Sequence, residues 1–357
     1  MAGAPAGGAE LFFERLTVAL ARTGDEILPV IRRDAQRAER LRAGALRPVE
    51  LAFGGPFDLL TRPRLAHALR RFAPRVTVAW MNRAARFTPT GNWILAGRLG
   101  GYYDLSYYRR CDHLIGNTAG IVAWIAGQGW AADRVHHLPN FAPDLSGAAP
   151  TSLPVPAGAP VLLSLGRLHR NKAFDVLIRA MPRLPAAHAL IAGEGPERPA
   201  LEDLARREGV SARVHFLGWR ADTAALLAAA DLLVCPSRHE PLGNVVIEAW
   251  SARRPVVAAA AQGPAELIAD GKDGCLVVPE DAVSLADRIA FLLEDRETAE
   301  RMADAGRARY VAEFSEAPVL DRWRTFLHHA QKGSVAPPAN PELGQYDAHM
   351  PTNVENV

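Results

Sequence analysis

Asp231-Leu-Leu-Val-Cys235-Pro-Ser-Arg-His-Glu240-Pro-Leu-Gly-Asn244-Val-Val-Ile-Glu248 is the stretch that decides the fold. Its opening is a continuous apolar run, as expected of a strand buried on both faces. Pro236 and Gly243 punctuate a loop, and the apolar spacing beyond Asn244 predicts a helix over 244–252. A strand that passes through a short loop into a helix is the repeating unit of a doubly wound parallel sheet. Such sheets bind ligands just outside the carboxyl ends of their strands.

The same rhythm extends on both sides. Strands are predicted at Val161-Leu-Leu-Ser-Leu, Ala189-Leu-Ile-Ala, Val214-His-Phe-Leu, Pro255-Val-Val-Ala and Cys275-Leu-Val-Val, with helices near 173–182, 197–208, 221–230, 264–270 and 284–293. The first half repeats the pattern less clearly. Its strands are expected at 26–31, 48–53, 76–80, 93–96 and 113–116, and its helices over 9–22, 33–43, 59–71 and 118–129. The segment 141–158, rich in Pro, Gly and Ser, reads as a linker. The expectation is therefore an α/β protein with two doubly wound, Rossmann-like domains facing a cleft. Residues 1–150 form the first domain and 156–308 the second. A helix at 309–331 returns to the first domain, and 332–357 is a disordered tail.

One strand is missing from this scheme. A doubly wound domain opens with a buried strand that leads into a glycine turn and a helix. Gly7-Gly8-Ala9-Glu10 and the helix from Leu11 are present, but Met1–Ala6 do not read as that strand. The expectation is a start upstream of Met1.

The chain has 357 residues and three dispersed cysteines, which suits a reducing compartment and excludes a disulfide framework. No apolar run is long enough to span a bilayer, and no signal peptide is recognisable, so a cytoplasmic protein is expected. The net charge of +2 hides an asymmetry: residues 1–150 hold 19 Arg, no Lys and 12 Asp plus Glu, or 19 − 12 = +7. That is compatible with peripheral contact at the anionic inner face of a membrane, or equally with solvated arginines. Nucleic acid is not expected, because no basic run is interleaved with aromatics. Neither a metal-ligand spacing nor a dinucleotide fingerprint is complete, since Gly193-Glu-Gly195-Pro-Glu-Arg198 carries Arg at the third glycine position.

Two loops gather polar groups at strand ends. After Leu165 come Gly166, Arg167 and Lys172, two cations suited to a diphosphate. Lysine is scarce, with only Lys172, Lys272 and Lys332 in the chain, so Lys172 is no random filler. After Cys235 come Glu240 and then the helix start, where the amides of Leu242, Gly243 and Asn244 face an anion and Asn244 is the expected N-cap. Glu248 shares a helix face with Asn244 at i, i+4. Carboxylates on either side of a phosphate site suit vicinal hydroxyls at both ends of the ligand, as in a nucleotide sugar. Two unrelated surface glutamates are the bland alternative.

Glu240-x7-Glu248, Gly166-Arg167-Leu168 with Lys172, Ala192-Gly-Glu-Gly-Pro196, Phe216-Leu-Gly218 and Gly263-Pro-Ala-Glu266 together resemble the retaining glycosyltransferases of family 4, or "group 1", with the GT-B fold. Gly7-Gly8-Ala9-Glu10 and Leu138-Pro-Asn140 match more weakly. The resemblance covers roughly residues 7–328. It implies a hexosyltransferase-like enzyme that moves a sugar from a nucleoside diphosphate donor to a glycan or glycolipid, as in lipopolysaccharide or other envelope polysaccharide synthesis. It also implies retention of configuration and no metal or cofactor. Arg167, Lys172 and Glu240 would act on the diphosphate and transferred sugar, and Glu248 on the ribose. Leu242, Gly243, Asn244, Gly166 and Gly8 would contact the donor.

Two positions depart from the family pattern. Ala173 follows the lysine where glycine is usual, and the first half lacks an evident copy of the histidine that many members hold near the reacting sugar. Asn82, Arg83, Tyr102 and Asp104 are the acceptor-side candidates there, although the tyrosines also suit a core cap. A sugar-nucleotide epimerase and a non-catalytic sugar-nucleotide-binding protein are the competing readings.

Overall fold

A computed structural model describes residues 1–3, 7–54 and 58–331; the expected tail at 332–357 lies outside the described residues. The chain divides into two compact units, Met1–Pro139 together with the chain from Leu320 onward, and Asn140–Val319.

In the first unit, β1 (Val30–Arg32) pairs in parallel with β2 (Val49–Leu51). Strands β3 (Val76–Trp80), β4 (Ile94–Leu99), β5 (His113–Gly116) and β6 (Val135–His137) form a separate parallel sheet in that order. The helices are α1 (Gly8–Arg22), α2 (Ala35–Ala43), α3 (Thr61–Phe72), α4 (Met81–Phe87) and α5 (Ala119–Gly127). Asp34 caps α2 and Thr118 caps α5, each accepting from the third amide of its helix.

The second unit holds one six-stranded parallel sheet in the order β12-β11-β10-β7-β8-β9. Its strands are β7 (Val161–Leu165), β8 (His188–Ala192), β9 (Val214–Gly218), β10 (Leu232–Cys235), β11 (Val256–Ala259) and β12 (Cys275–Val277). They alternate with α6 (Phe174–Ala180), α7 (Arg198–Arg207), α8 (Thr223–Ala229), α9 (Asn244–Ser251), α10 (Gln262–Leu267) and α11 (Ala282–Glu294); α12 (Arg296–Arg309) follows. Successive strand residues face opposite sides. Leu162 accordingly joins a core with Leu177, Ile178 and Ile289, while Leu163 joins another with Val246, Ile247 and Trp250. This double coverage is why β10 and β11 read as unbroken apolar runs.

After α12 a π-helical turn, Tyr310–Phe314, leads through Ser315 into α13 (Glu316–His329). The expected single helix over 309–331 is thus broken at its start. From Leu320 onward α13 belongs to the first unit, where Trp323 stacks on Trp80 at 6.0 Å between centroids and 5° between planes. His113 and His136 share a 3.0 Å hydrogen bond, and Gln331 O lies 2.7 Å from the other His113 nitrogen.

Met1 lies alongside β1, donating to Val30 O at 2.8 Å and accepting from Arg32 N at 3.0 Å.

Candidate functional site

The sheet of the second unit reverses its winding between β7 and β10. From β7 the chain proceeds to β8 and β9 on one side, then to β10, β11 and β12 on the other. A crevice outside the strand ends at such a switch point is where open α/β sheets take ligands. The two loops singled out above, 166–172 after β7 and 236–243 after β10, leave the sheet there.

Lys172 ends a 3-10 turn, Arg170–Lys172, and reaches Glu240. Its Nζ donates to Glu240 Oε2 in a short ion pair whose side chains are 25% and 11% exposed. Burial opposes the ammonium, but the Glu240 carboxylate outweighs it and the Lys172 pKa rises. Ser237 Oγ donates to the same carboxylate oxygen at 3.5 Å, and Gly243 N donates to Oε1 at 3.3 Å. The backbone of Glu240 is held as well, its carbonyl accepting from Gly263 N at 2.7 Å. Next to it, burial raises the Cys235 thiol pKa, and the Glu240 charge adds to that effect.

Two local features shape the crevice. Gly193 approaches the β7 loop so closely that a Cβ would lie 1.9 Å from Gly166 O, and its φ of +151° is itself unfavourable for other residues. Gly243, with φ +89°, is the N-cap of α9, because the chain must turn left-handed before the helix. This corrects the expectation that Asn244 caps α9. Asn244 is its first residue, and its Oδ1 accepts from Asn140 Nδ2 at 3.0 Å.

Of the donor-side candidates, the structure brings together Lys172, Glu240 and Gly243. Leu242 is buried, Glu248 is half-buried on α9, Gly166 opens the β7 loop and Arg167 stands exposed beside it. Sequence reasoning missed Arg238. This half-buried side chain binds Asp175 through two bonds, also meets Glu280, and donates to Arg170 O at 2.9 Å. It lay within the opening run, but nothing in the sequence brings Asp175 and Glu280 to it.

In the first unit, Gly8 is the exposed first residue of α1. Asn82 accepts from Tyr108 at 2.9 Å, Arg83 is exposed on α4, and Tyr102 meets Trp124 edge-on at 5.5 Å. Asp104 accepts from Ser106 N at 2.8 Å, which makes it a cap of the short turn after it. Arg98 went unforeseen. It is fully buried, its guanidinium 4.4 Å from the Trp80 ring and 5.1 Å from Phe12, and burial lowers its pKa to about 10. Among the described residues no cluster of His, Cys, Asp or Glu is placed to hold a metal, and no helix is long and apolar enough to cross a membrane.

The profile of the "Glycosyl transferases group 1" family matches residues 148–309. The chain is 36% identical over 332 residues to a lipopolysaccharide core biosynthesis glycosyltransferase, LpsE, of Rhizobium meliloti strain 1021, covering 90% of this chain and 96% of LpsE. It is 34% identical over 327 residues to LpsD of the same strain, covering 89% and 94%. The fold matches that of Anabaena HepE with UDP bound, with a TM-score of 0.79 over 92% of this chain and 98% of HepE at 23% identity. WaaG, a glycosyltransferase of lipopolysaccharide biosynthesis, gives a TM-score of 0.71 over 92% and 98% at 18% identity. With a switch-point site, a GT-B fold and relatives alike over nearly their full length, the chain belongs to the group 1 glycosyltransferases.

Proposed function

We propose that this chain transfers a sugar, with retention of anomeric configuration and without a metal, from a nucleoside diphosphate donor to a glycolipid or glycan of the cell envelope, as a member of family 4. The observation that carries the reading is the Lys172–Glu240 pair beneath the start of α9 at the β7/β10 switch point. Lys172 and Arg167 neutralise the diphosphate leaving group, with the α9 amides adding their dipoles. Glu240 accepts from hydroxyls of the transferred sugar, and Glu248 from those of the ribose. The leaving phosphate takes the acceptor proton in a front-face attack.

The names of LpsE and LpsD support a lipopolysaccharide-core acceptor. The excess of 19 − 12 = +7 charges in residues 1–150 supports work at the cytoplasmic, anionic face of a membrane.

A thermal-shift screen of UDP-, GDP- and ADP-sugars tests the donor. A true donor at a hundredfold its Kd adds about 2.7 kcal/mol of stability, and the absence of a shift with every nucleotide sugar sinks the reading. Product analysis with that donor then separates transfer from conversion of the sugar alone, the outcome for an epimerase, and from binding without turnover. The anomeric configuration of the product tests retention, and unchanged turnover after chelation tests metal independence.

A further inference from the structure

Among the described residues, Ala45, Ala73 and Arg253 take a positive φ just past helix ends, where that conformation is routine. Met81, at φ +67°, has no helix end to satisfy. It stands between β3 and α4, so its strained backbone sets the direction in which α4 leaves the sheet. Both ends of this short helix are then tied down. Tyr108, itself fully buried, donates to Asn82 Oδ1 at 2.9 Å. Arg110 Nη2 donates to Ala85 O at 3.2 Å and to Arg86 O at 2.6 Å, and Ala84 and Ala85 are buried.

What this fixed helix presents is Arg83, exposed in its first turn. Arg32, also exposed, is the last residue of β1. Partial burial first, and then the charge of Arg32, lower the Arg83 pKa, so the two guanidinia stand close together. Among the described residues neither has a carboxylate partner. Arginines on the next helix, α2, are placed differently: Arg37 and Arg40 share Glu14, and Arg42 meets Glu50. Like charges brought together without a counter-charge repel, and a bound anion relieves that repulsion. The place is also one where open α/β sheets take ligands, outside the carboxyl ends of the strands.

We propose that Arg32 and Arg83 form an anion subsite of the first unit, which takes a carboxylate or phosphate borne by the acceptor sugar. Two guanidinium forks suit either oxyanion, and a neutral sugar gains nothing from their charge. The acceptor is thereby narrowed from any glycan to an acidic or phosphorylated one. That identity rests on the proposed transfer reaction, whereas the subsite itself does not. Its residues are distinct from Arg167 and Lys172, which the donor reading uses and which belong to the second unit.

The test titrates the full chain with glucuronate, glucose 6-phosphate, glucose and inorganic phosphate, followed by NMR of the arginine side chains. At least one anionic sugar is expected to bind about tenfold more tightly than glucose and than inorganic phosphate. Which of the two does so separates a carboxylate from a phosphate. Arg32→Gln and Arg83→Gln are each expected to remove about tenfold of that affinity, with unchanged urea midpoints and unchanged pyrophosphate binding. Arg47→Gln, at an exposed arginine before the start of β2, is expected to leave it unchanged. The proposal is overturned if glucose or inorganic phosphate binds as tightly as both anionic sugars, or if the Arg32 and Arg83 variants bind like wild type. An equal loss in Arg47→Gln also overturns it, since that marks a diffuse basic surface. If pyrophosphate fails to bind while the subsite behaves as expected, the donor assignment falls and the subsite stands.

Discussion

Arg238 holds Asp175 through two parallel hydrogen bonds of 2.7 Å, Nη1 to Oδ1 and Nη2 to Oδ2. Its backbone N donates to Asn171 O at 2.9 Å. One residue of the β10 loop thereby fixes the turn that presents Lys172. The planar fork is what the geometry uses, and a lysine has none. Arg238→Lys is expected to lower kcat/KM roughly tenfold, about 1.4 kcal/mol of transition-state stabilisation, while circular dichroism stays unchanged. Wild-type kinetics in this variant would remove Arg238 from any positioning role.

Lys172 and Glu240 form a unit, so their substitutions should not add. Lys172→Ala is expected to cut kcat/KM by about 10² to 10³, the usual loss of one charge-stabilising donor. Glu240→Gln should be damaging alone, yet cost little more on top of Lys172→Ala. Full additivity in the double-mutant cycle would show that the pair is incidental.

The proposed function puts Glu248 on the ribose, which would separate its effects from those of Lys172. Glu248→Gln should weaken nucleotide binding by roughly 1.5 to 3 kcal/mol, as expected for hydrogen bonds to a charged group, and leave inorganic pyrophosphate binding unchanged. Isothermal titration with both ligands checks this. Equal losses for the two would assign Glu248 to the phosphates instead.

Gly193 faces backbone rather than a yielding side chain, since its hypothetical Cβ meets Gly166 O at 1.9 Å. Gly193→Ala should therefore destabilise the protein by about 3 kcal/mol or more, read as a lower urea midpoint.

Burial first, and then neighbouring His113, push the His136 pKa from 6.5 down to about 4. In the unfolded chain His136 takes a proton near pH 6.5, whereas in the folded one it stays neutral until about pH 4. Unfolding therefore binds a proton inside that window, and stability falls as pH drops through it. Burial also lowers His188 and His215, so the decline has several contributors. The specific expectation is a shallower decline of the urea midpoint between pH 6.5 and 4 in His136→Gln.

The sequence revealed most where strands are buried on both faces. Leu232–Cys235 and Val256–Ala259 are unbroken apolar runs because helices cover both sides of their sheet. β6 escaped notice because a single valine is followed by His136 and His137, and α4 because its seven residues offer barely two turns of periodicity. Lys172 and Glu240 were legible as chemistry, but their contact spans 68 positions and exists only through the sheet order. Arg98 was illegible for the opposite reason: no local pattern distinguishes an arginine lying over the Phe12 and Trp80 rings from one in water.

The stacking of Trp323 on Trp80 bears on how such a protein could be recombined. The first unit takes its last helical residues from the far end of the polypeptide, so it is not a contiguous stretch of gene. A single crossover near residue 140 would pair one parent's Trp80 with another parent's α13. An exchange that keeps each core with its own lineage needs two cuts, one near 140 and one near 320. Between those cuts lies a cassette, the whole second unit, whose replacement leaves the tryptophan pair untouched.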